Sequence, residues 1–313
     1  MTKFNYGRQA VLEGVMMRGE KDWAVSVRNP AGNIIVHREA LPAAVYRSRI
    51  LRWPFLRGLT MLWDSLGLGM RALMWSADVA ISEEDEQVSF SGPLAWGTIA
   101  LSLALGIGLF FLLPAFLVGL IDRYVTSSLL SNAAEGLVRL LIFVGYIWGI
   151  SFMPDIRRVF AYHGAEHKTI NAYEQGAPLE PEAIMAYSRA HTRCGTAFLI
   201  IVLVIFVIVA TLVGRPPLLL RLLSRIVLIP VVAGISYEVL KLTSRSYERS
   251  VWARALAAPG LWVQRLTTRE PTREMVEVSI AALKQVLQSE GLAAESAQSS
   301  AEAPPAEGPA AVS

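Results

Sequence analysis

The chain holds one cysteine, Cys194, in 313 residues. That excludes an internal disulfide framework and gives no sign of folding in an oxidising compartment. Charge is scarce as well: Asp, Glu, Lys and Arg make up 18% of the residues while hydrophobic types reach 53%, against about 25% charge in soluble domains. Together these figures exclude an ordinary soluble globular protein. The formal net charge is only +3, too small for a nucleic-acid-binding surface. Residues 1–60 lack the basic, apolar and small-residue succession of a cleaved signal or transit peptide, and no internal repeat is found. Histidine occurs four times, so any two at ligand spacing are informative.

What the chain does have is long apolar runs. Leu94–Ile121 contains no charged residue, and about 20 apolar residues suffice to cross a bilayer core. A bend is expected at Pro114. Gly136–Met153 is a second span with Arg139 near its start, Thr196–Val213 a third without charge, and Leu218–Leu240 a fourth. The fourth carries Arg221 and Arg225 in its first two turns, where long stems can snorkel, and Glu238 near its far end, which needs an arginine or a polar cavity to neutralise it. Loop charges orient these spans. The segment before the first holds 11 Lys and Arg, the 122–134 connection one, the 154–195 connection five and the 214–217 turn one, and Lys241, Arg245, Arg249 and Arg254 follow the last. The positive-inside rule then puts both termini and the 154–195 loop in the cytoplasm.

The sequence therefore reads as a mainly α integral membrane protein of about four transmembrane helices with a small N-terminal β-hairpin cap and amphipathic cytoplasmic helices. Residues 1–53 are the β-rich cap: Trp23–Arg28 alternates, Asn29–Asn33 is turn chemistry and Ile34–His37 returns. Residues 54–93 are an amphipathic helix followed by the acidic linker 82–86. Arg57, Asp64, Arg71 and Asp78 are spaced by sevens on one stripe, as in a helix lying in the interface or packed on the bundle. The four-span domain covers 94–240. Residues 241–290 are cytoplasmic amphipathic helices. The first is a basic helix ending at Pro259-Gly260, with Trp252 and Trp262 as interfacial anchors. The second is opened by a Thr267/Glu270 capping box and shows Val276, Ile280, Leu283 and Leu287 at helical spacing. Residues 291–313 have the composition of a disordered tail.

The chemistry lies between the second and third spans. Pro154-Asp155 opens a helix in which His163, Glu166 and His167 fall at i, i+3 and i+4, within about 100° of arc. This is the H-x-x-E-H pattern, in which two imidazoles hold a metal and the carboxylate beside them takes a proton from activated water. Gly164, beside the first histidine, lowers helix propensity by about 1 kcal/mol, a cost that makes sense if something approaches closely there. Further ligands are offered by His191 and Cys194, three apart and suited to zinc, and by Glu174, seven residues after His167 on the same face. The competing account makes the histidines one polar face of a cytoplasmic helix, with Glu166 paired to Lys168, Arg157 or Arg158, and makes His191 and Cys194 a helix-entry turn.

Four separated stretches resemble the YqhQ-like bacterial membrane proteins: Arg8-Gln-Ala-Val-Leu-Glu-Gly-Val-Met-Met-Arg-Gly19, His163-Gly-Ala-Glu-His-Lys168, His191-Thr-Arg-Cys-Gly-Thr196 and Thr267-Thr-Arg-Glu-Pro271. The first motif departs from that family's G-G-Q-A-V by carrying Arg8 in place of a glycine. The resemblance implies a multi-pass protein of the bacterial cytoplasmic (inner) membrane, in a family of unknown function labelled predicted metal-dependent enzyme. Two functions are therefore expected. The first is a membrane-embedded metal-dependent hydrolase using a divalent metal, Zn2+ by preference. Its ligands are His163, His167 and one or two of His191, Cys194 and Glu174, with Glu166 as catalytic base and a membrane-associated substrate. The second is a non-enzymatic scaffold that binds other membrane proteins. The Gln9–Gly19 stretch either lines the site through Glu13 and Arg18 or only pairs with the hairpin.

Overall fold

A computed structural model describes residues 6–41, 53, 56–81, 93–121, 124–125, 127–214 and 216–292. The acidic run at 82–86 and the tail from 293 lie outside them. In chain order come strands β1 (Gly7–Val11), β2 (Gly14–Arg18), β3 (Asp22–Arg28) and β4 (Ile34–Ala40), then helices α1 (Leu56–Ile81) and α2 (Pro93–Ile107). A π-helical turn over Gly108–Leu112 leads into α3 (Leu113–Ile121), followed by α4 (Ser128–Ile150), α5 (Pro154–Glu174), α6 (Pro181–Met185) and α7 (Gly195–Val213). The chain ends with α8 (Leu218–Ser246), α9 (Val251–Thr267) and α10 (Arg273–Ser289).

The strands form one antiparallel meander, β1-β2-β3-β4. The expected hairpin is β3–β4, with Arg28 opposite Ile34, and its turn is closed by Asn33 N–H donating to Asn29 Oδ1 at 2.8 Å. Of the two roles open to the Gln9–Gly19 stretch, pairing is the one taken, because β2 pairs along its whole length with β3. The alternation in β3 separates two cores and not core from water. Val15, Met17 and Ala24 pack on α5 and α10, while Met16, Trp23, Val25 and Val27 pack on Leu68 and Ala72 of α1. His37, on β4, stacks on Trp75 and meets Trp23 edge-on. The heptad-spaced stripe of α1 becomes an ion-pair seam: Arg57 bonds Glu238 of α8, Asp64 accepts from Arg18 of β2 at 2.8 Å, and Arg71 reaches Glu39 of β4. Glu238 is thus neutralised by a helix beside the bundle.

Among the described residues, four helices are long and apolar enough to cross a membrane: Trp96–Ile121, Ser128–Ile150, Gly195–Val213 and Leu218–Ser246. Only 17–28% of each span's most apolar window is buried against protein, so apolar surface that a soluble fold would hide faces outward and matches a bilayer. Pro114 leaves its mark on the first span as a local change of helix type. Pro114 has no N–H for the carbonyl of Phe110, one turn back; Arg139 Nε of α4 donates to that carbonyl at 2.8 Å. The helix widens into a π turn at the same place.

Three sequence expectations are corrected. Thr267 and Glu270 form no capping box: Thr267 ends α9, and the cap of α10 is Thr272, whose side chain accepts from Met275 N–H. The basic helix after the fourth span does not run to Pro259-Gly260. It stops at Ser246, and Ser250 caps a new helix that carries Pro259 inside it. Gly260 of that helix packs so close to Ala197 that an added Cβ would lie 2.9 Å from it. Finally, Arg221 and Arg225 do not snorkel; both are buried and bonded to Glu135.

Candidate metal centre

The site forms where three chain segments meet at the end of the bundle covered by the sheet. Helix α5 brings His163, Glu166 and His167 on one face. The segment 186–194, with Met185 just before it, is stitched to that helix by side chains that bond its backbone: Lys168 Nζ donates to Met185 O at 2.7 Å, and Asn171 Nδ2 donates to Ser188 O at 2.7 Å and Ala190 O at 3.0 Å. From α9, Gln264 clamps His191, accepting its N–H at 3.0 Å and donating to its carbonyl at 2.8 Å. These contacts deliver Cys194, the N-cap of α7, to the two imidazoles.

His163, His167 and Cys194 each offer a ligand atom, all within 4.8 Å of one another. Cys194 Sγ lies 3.3 Å from His163 Nε2. Ligand atoms around tetrahedral zinc are separated by roughly 3.3–3.8 Å, given bond lengths of 2.0–2.3 Å, so this triad needs little contraction. Second contacts set the imidazole tautomers. His163 Nδ1 is 2.9 Å from Thr267 O and His167 Nδ1 bonds Arg189 O. A carbonyl only accepts, so each Nδ1 carries a proton, and in the neutral imidazole each Nε2 then presents a lone pair. Carbonyl-held histidines of this kind are usual around metals. Burial pushes the Cys194 thiol up, but the hydrogen bond and charge of His167 in its protonated form, with the N–H of Thr196, outweigh it and hold the thiol below its ordinary range. Glu166, buried, has Oε2 3.9 Å from His163 Nε2.

The other candidates fall outside the triad. His191 lies beside His167, ring centroids 5.8 Å apart and planes tilted by 44°, and its Nδ1 accepts from Arg193 N–H at 3.2 Å. Glu174 bonds Arg193 and lies 3.6 Å from His191 Nε2. Glu13 and Arg18 do not line the site. Glu13, at φ 50 in the β1–β2 turn, accepts two bonds from Arg158 at 2.5 Å and one from Tyr162 at 3.3 Å, holding α5 just before His163. Lys168 pairs with Glu270 instead of Glu166. Sequence reasoning missed Asn171, Gln264 and Thr267 as positioning groups, because their partners lie 17, 73 and 104 residues away and no local pattern marks them.

The close approach at Gly164 is the Thr267–Pro271 strap. Arg269 N–H donates to Phe160 O at 2.8 Å, and a Cβ built on Gly164 would sit 2.1 Å from Arg269 O. Gly164→Ala must push away the segment whose Thr267 carbonyl holds His163. It is expected to destabilise by about 1–3 kcal/mol, the usual cost of overpacking, measured as a lowered unfolding midpoint. An unchanged midpoint would show that the strap yields freely.

Fold and site define a four-span membrane protein with a sheet-and-helix cap that collects a His-His-Cys cluster at one end of the bundle. The chain belongs to the family described as Protein of unknown function (DUF1385), which matches residues 53–289. It is similar to the Uncharacterized protein YqhQ of Bacillus subtilis (strain 168), 37% identical over 298 residues, covering 92% of this chain and 93% of that protein. No solved structure matches.

Proposed function

We propose that this protein is a membrane-embedded metal-dependent enzyme, a hydrolase acting at the cytoplasmic membrane face on a membrane-associated substrate. The observation that carries it is the pair of Nδ1-anchored histidines converging with Cys194 while the buried Glu166 carboxylate stands beside them. His163, His167 and Cys194 would hold a divalent ion, which would supply Lewis-acid activation of water. Glu166 accepts the proton from attacking water and returns it to the leaving group. Thr267 O and Arg189 O keep the imidazoles aimed, and the α5–186–194 stitching keeps them fixed. The membrane edge favours a substrate with an apolar part, such as a lipid-linked molecule or a membrane-protein segment; Trp252 and Trp262, on the exposed side of α9, suit the interface.

Metal content of detergent-purified wild type beside His163→Ala tests this reading. About one ion per chain is expected in wild type and less than about a tenth in the variant, since even outer contacts cost 10–100-fold in affinity. Equal, negligible metal in both would favour the scaffold reading. Orientation has its own test. The charge asymmetry of the loops predicts that a reporter fused after Glu174 is cytoplasmic and one near Ser131 is not. A cysteine at position 174 labelled from outside intact cells would reverse the proposed topology.

A further inference from the structure

Helix α9 has an outer face that nothing in the described fold covers. Its inner face is fixed by packing: Ala253, Ala257, Gly260, Val263, Gln264 and Thr267 are buried, against α7 at Ala197 and beside the metal centre at His191 and His163. The outer face is apolar. Val251 is 69% exposed, Trp252 80%, Leu256 60% and Trp262 57%, so the greater part of each side chain stands outside the protein. At 100° per residue these four, with the exposed Ala255 and Pro259, fall within one arc of about 140°. Arg254 and Arg265 share one border of that arc, about 20° apart around the helix and about 16 Å apart along it.

The charge around this face has one sign. Helix α9 holds no acidic residue, and the stretch 239–269 carries Lys241, Arg245, Arg249, Arg254, Arg265 and Arg269 against Glu248 alone. Among the described residues neither Arg254 nor Arg265 pairs with a carboxylate. Arg254 donates to the backbone carbonyl of Glu248 at 3.3 Å, and Glu270, three residues past the helix, is taken by Lys168 and Arg189. An apolar face bordered by cations is the pattern of a helix lying in the plane of a membrane surface.

We propose that α9 lies in the headgroup layer at the sheet-covered end of the bundle and binds anionic phospholipid, its outer face in the acyl boundary and Arg254 and Arg265 each on a lipid phosphate. Three observations favour lipid over a protein partner. Gly260 meets Ala197, two residues after α7 starts, so the helix is held where an apolar span ends. Tryptophans stand near both ends of the exposed face, and tryptophan is enriched at headgroup level. The two cations are too far apart for one phosphate to bridge and suit two separate headgroups.

The test uses the full chain in nanodiscs, with Ala255→Cys carrying an environment-sensitive nitrobenzoxadiazole probe. Wild type, whose one cysteine is buried, is the blank. In discs of phosphatidylcholine with phosphatidylglycerol the probe should resist aqueous iodide and be quenched by brominated acyl chains. Brominated phosphatidylglycerol should reach the same quenching at about a fifth of the mole fraction that brominated phosphatidylcholine needs, the selectivity expected of one arginine at an anionic surface. The preference should shrink in high salt and vanish when Arg254→Gln and Arg265→Gln are combined. Both side chains are exposed, so that variant should keep the parent's unfolding midpoint. Four results overturn the proposal: iodide quenching with none from lipid, equal quenching by the two lipids, an unchanged preference in the double variant, or a probe shielded from both quenchers. The last would put a protein surface, such as a second copy of this chain, on the outer face of α9.

Discussion

His167→Ala is expected to lose metal and turnover together, whereas Glu166→Gln keeps the metal and loses turnover alone. His167 is one of three ligand-bearing residues in the cluster, and with so few, one deletion opens the site to water. Its imidazole is fully buried and held through Nδ1 by Arg189 O, so alanine also releases the 186–194 segment that delivers Cys194. Metal per chain should fall from about one to below about a tenth, since even outer contacts cost 10–100-fold in affinity. Glu166 differs in kind. At i+3 from His163 its carboxylate sits beside the imidazoles, 3.9 Å from Nε2, near enough to take a proton without coordinating. Glutamine preserves its size and one oxygen, so packing survives and only basicity is lost. Cobalt-substituted protein gives a readout that needs no substrate: Cys194→Ser should abolish the thiolate-to-cobalt absorption that Glu166→Gln retains. If Glu166→Gln sheds metal as completely as His167→Ala, Glu166 is a ligand and the base lies elsewhere. If neither variant changes metal content while both destabilise, the histidines are a hydrogen-bonded helix face and the scaffold reading stands.

The parts of this molecule legible in its sequence are those set by local periodicity. Four apolar runs gave four long helices, the turn chemistry of Asn29–Asn33 gave a hairpin, and the i, i+3, i+4 spacing put His163, Glu166 and His167 on one face. Cys194 joined them because two spans returning to one membrane face bring their flanking segments together. Groups whose partners are distant in sequence were not legible. Gln264 binds a backbone 73 residues away, and nothing local separates such a glutamine from any other polar residue. Arg221 and Arg225 near a helix end fit snorkelling equally well; their partner Glu135 lies 86 and 90 residues back. Thr267 three before Glu270 matched a helix start by spacing alone, although its carbonyl was needed by His163 and the cap fell to Thr272.

The buried cluster of Glu135 with Arg139, Arg221 and Arg225 carries the largest stability prediction. Glu135→Ala is expected to destabilise the protein by at least about 3–5 kcal/mol, the cost of breaking a buried ion pair by deleting one partner. Here one deletion removes the carboxylate that Arg139, Arg221 and Arg225 share. Arg139 keeps Phe110 O and the face of Phe206, its Cζ 4.1 Å from the ring centroid, but a cation–π contact returns only about 2 kcal/mol when desolvated. The loss should appear as a much lower midpoint in detergent unfolding. Removing every charge separates electrostatics from packing: Glu135→Leu combined with Arg139→Met, Arg221→Met and Arg225→Met leaves no stranded ion, and buried ion networks replaced by apolar side chains of similar volume are often as stable as the original. The quadruple variant is therefore expected to recover much of what Glu135→Ala loses, short of the contact that Arg139 makes with Phe110 O in the π turn before Pro114. If Glu135→Ala unfolds with the wild-type midpoint, the carboxylate does not neutralise the cluster. If the quadruple variant is weaker than the single one, the guanidiniums hold the spans together mainly through their bonds to backbone and polar neighbours.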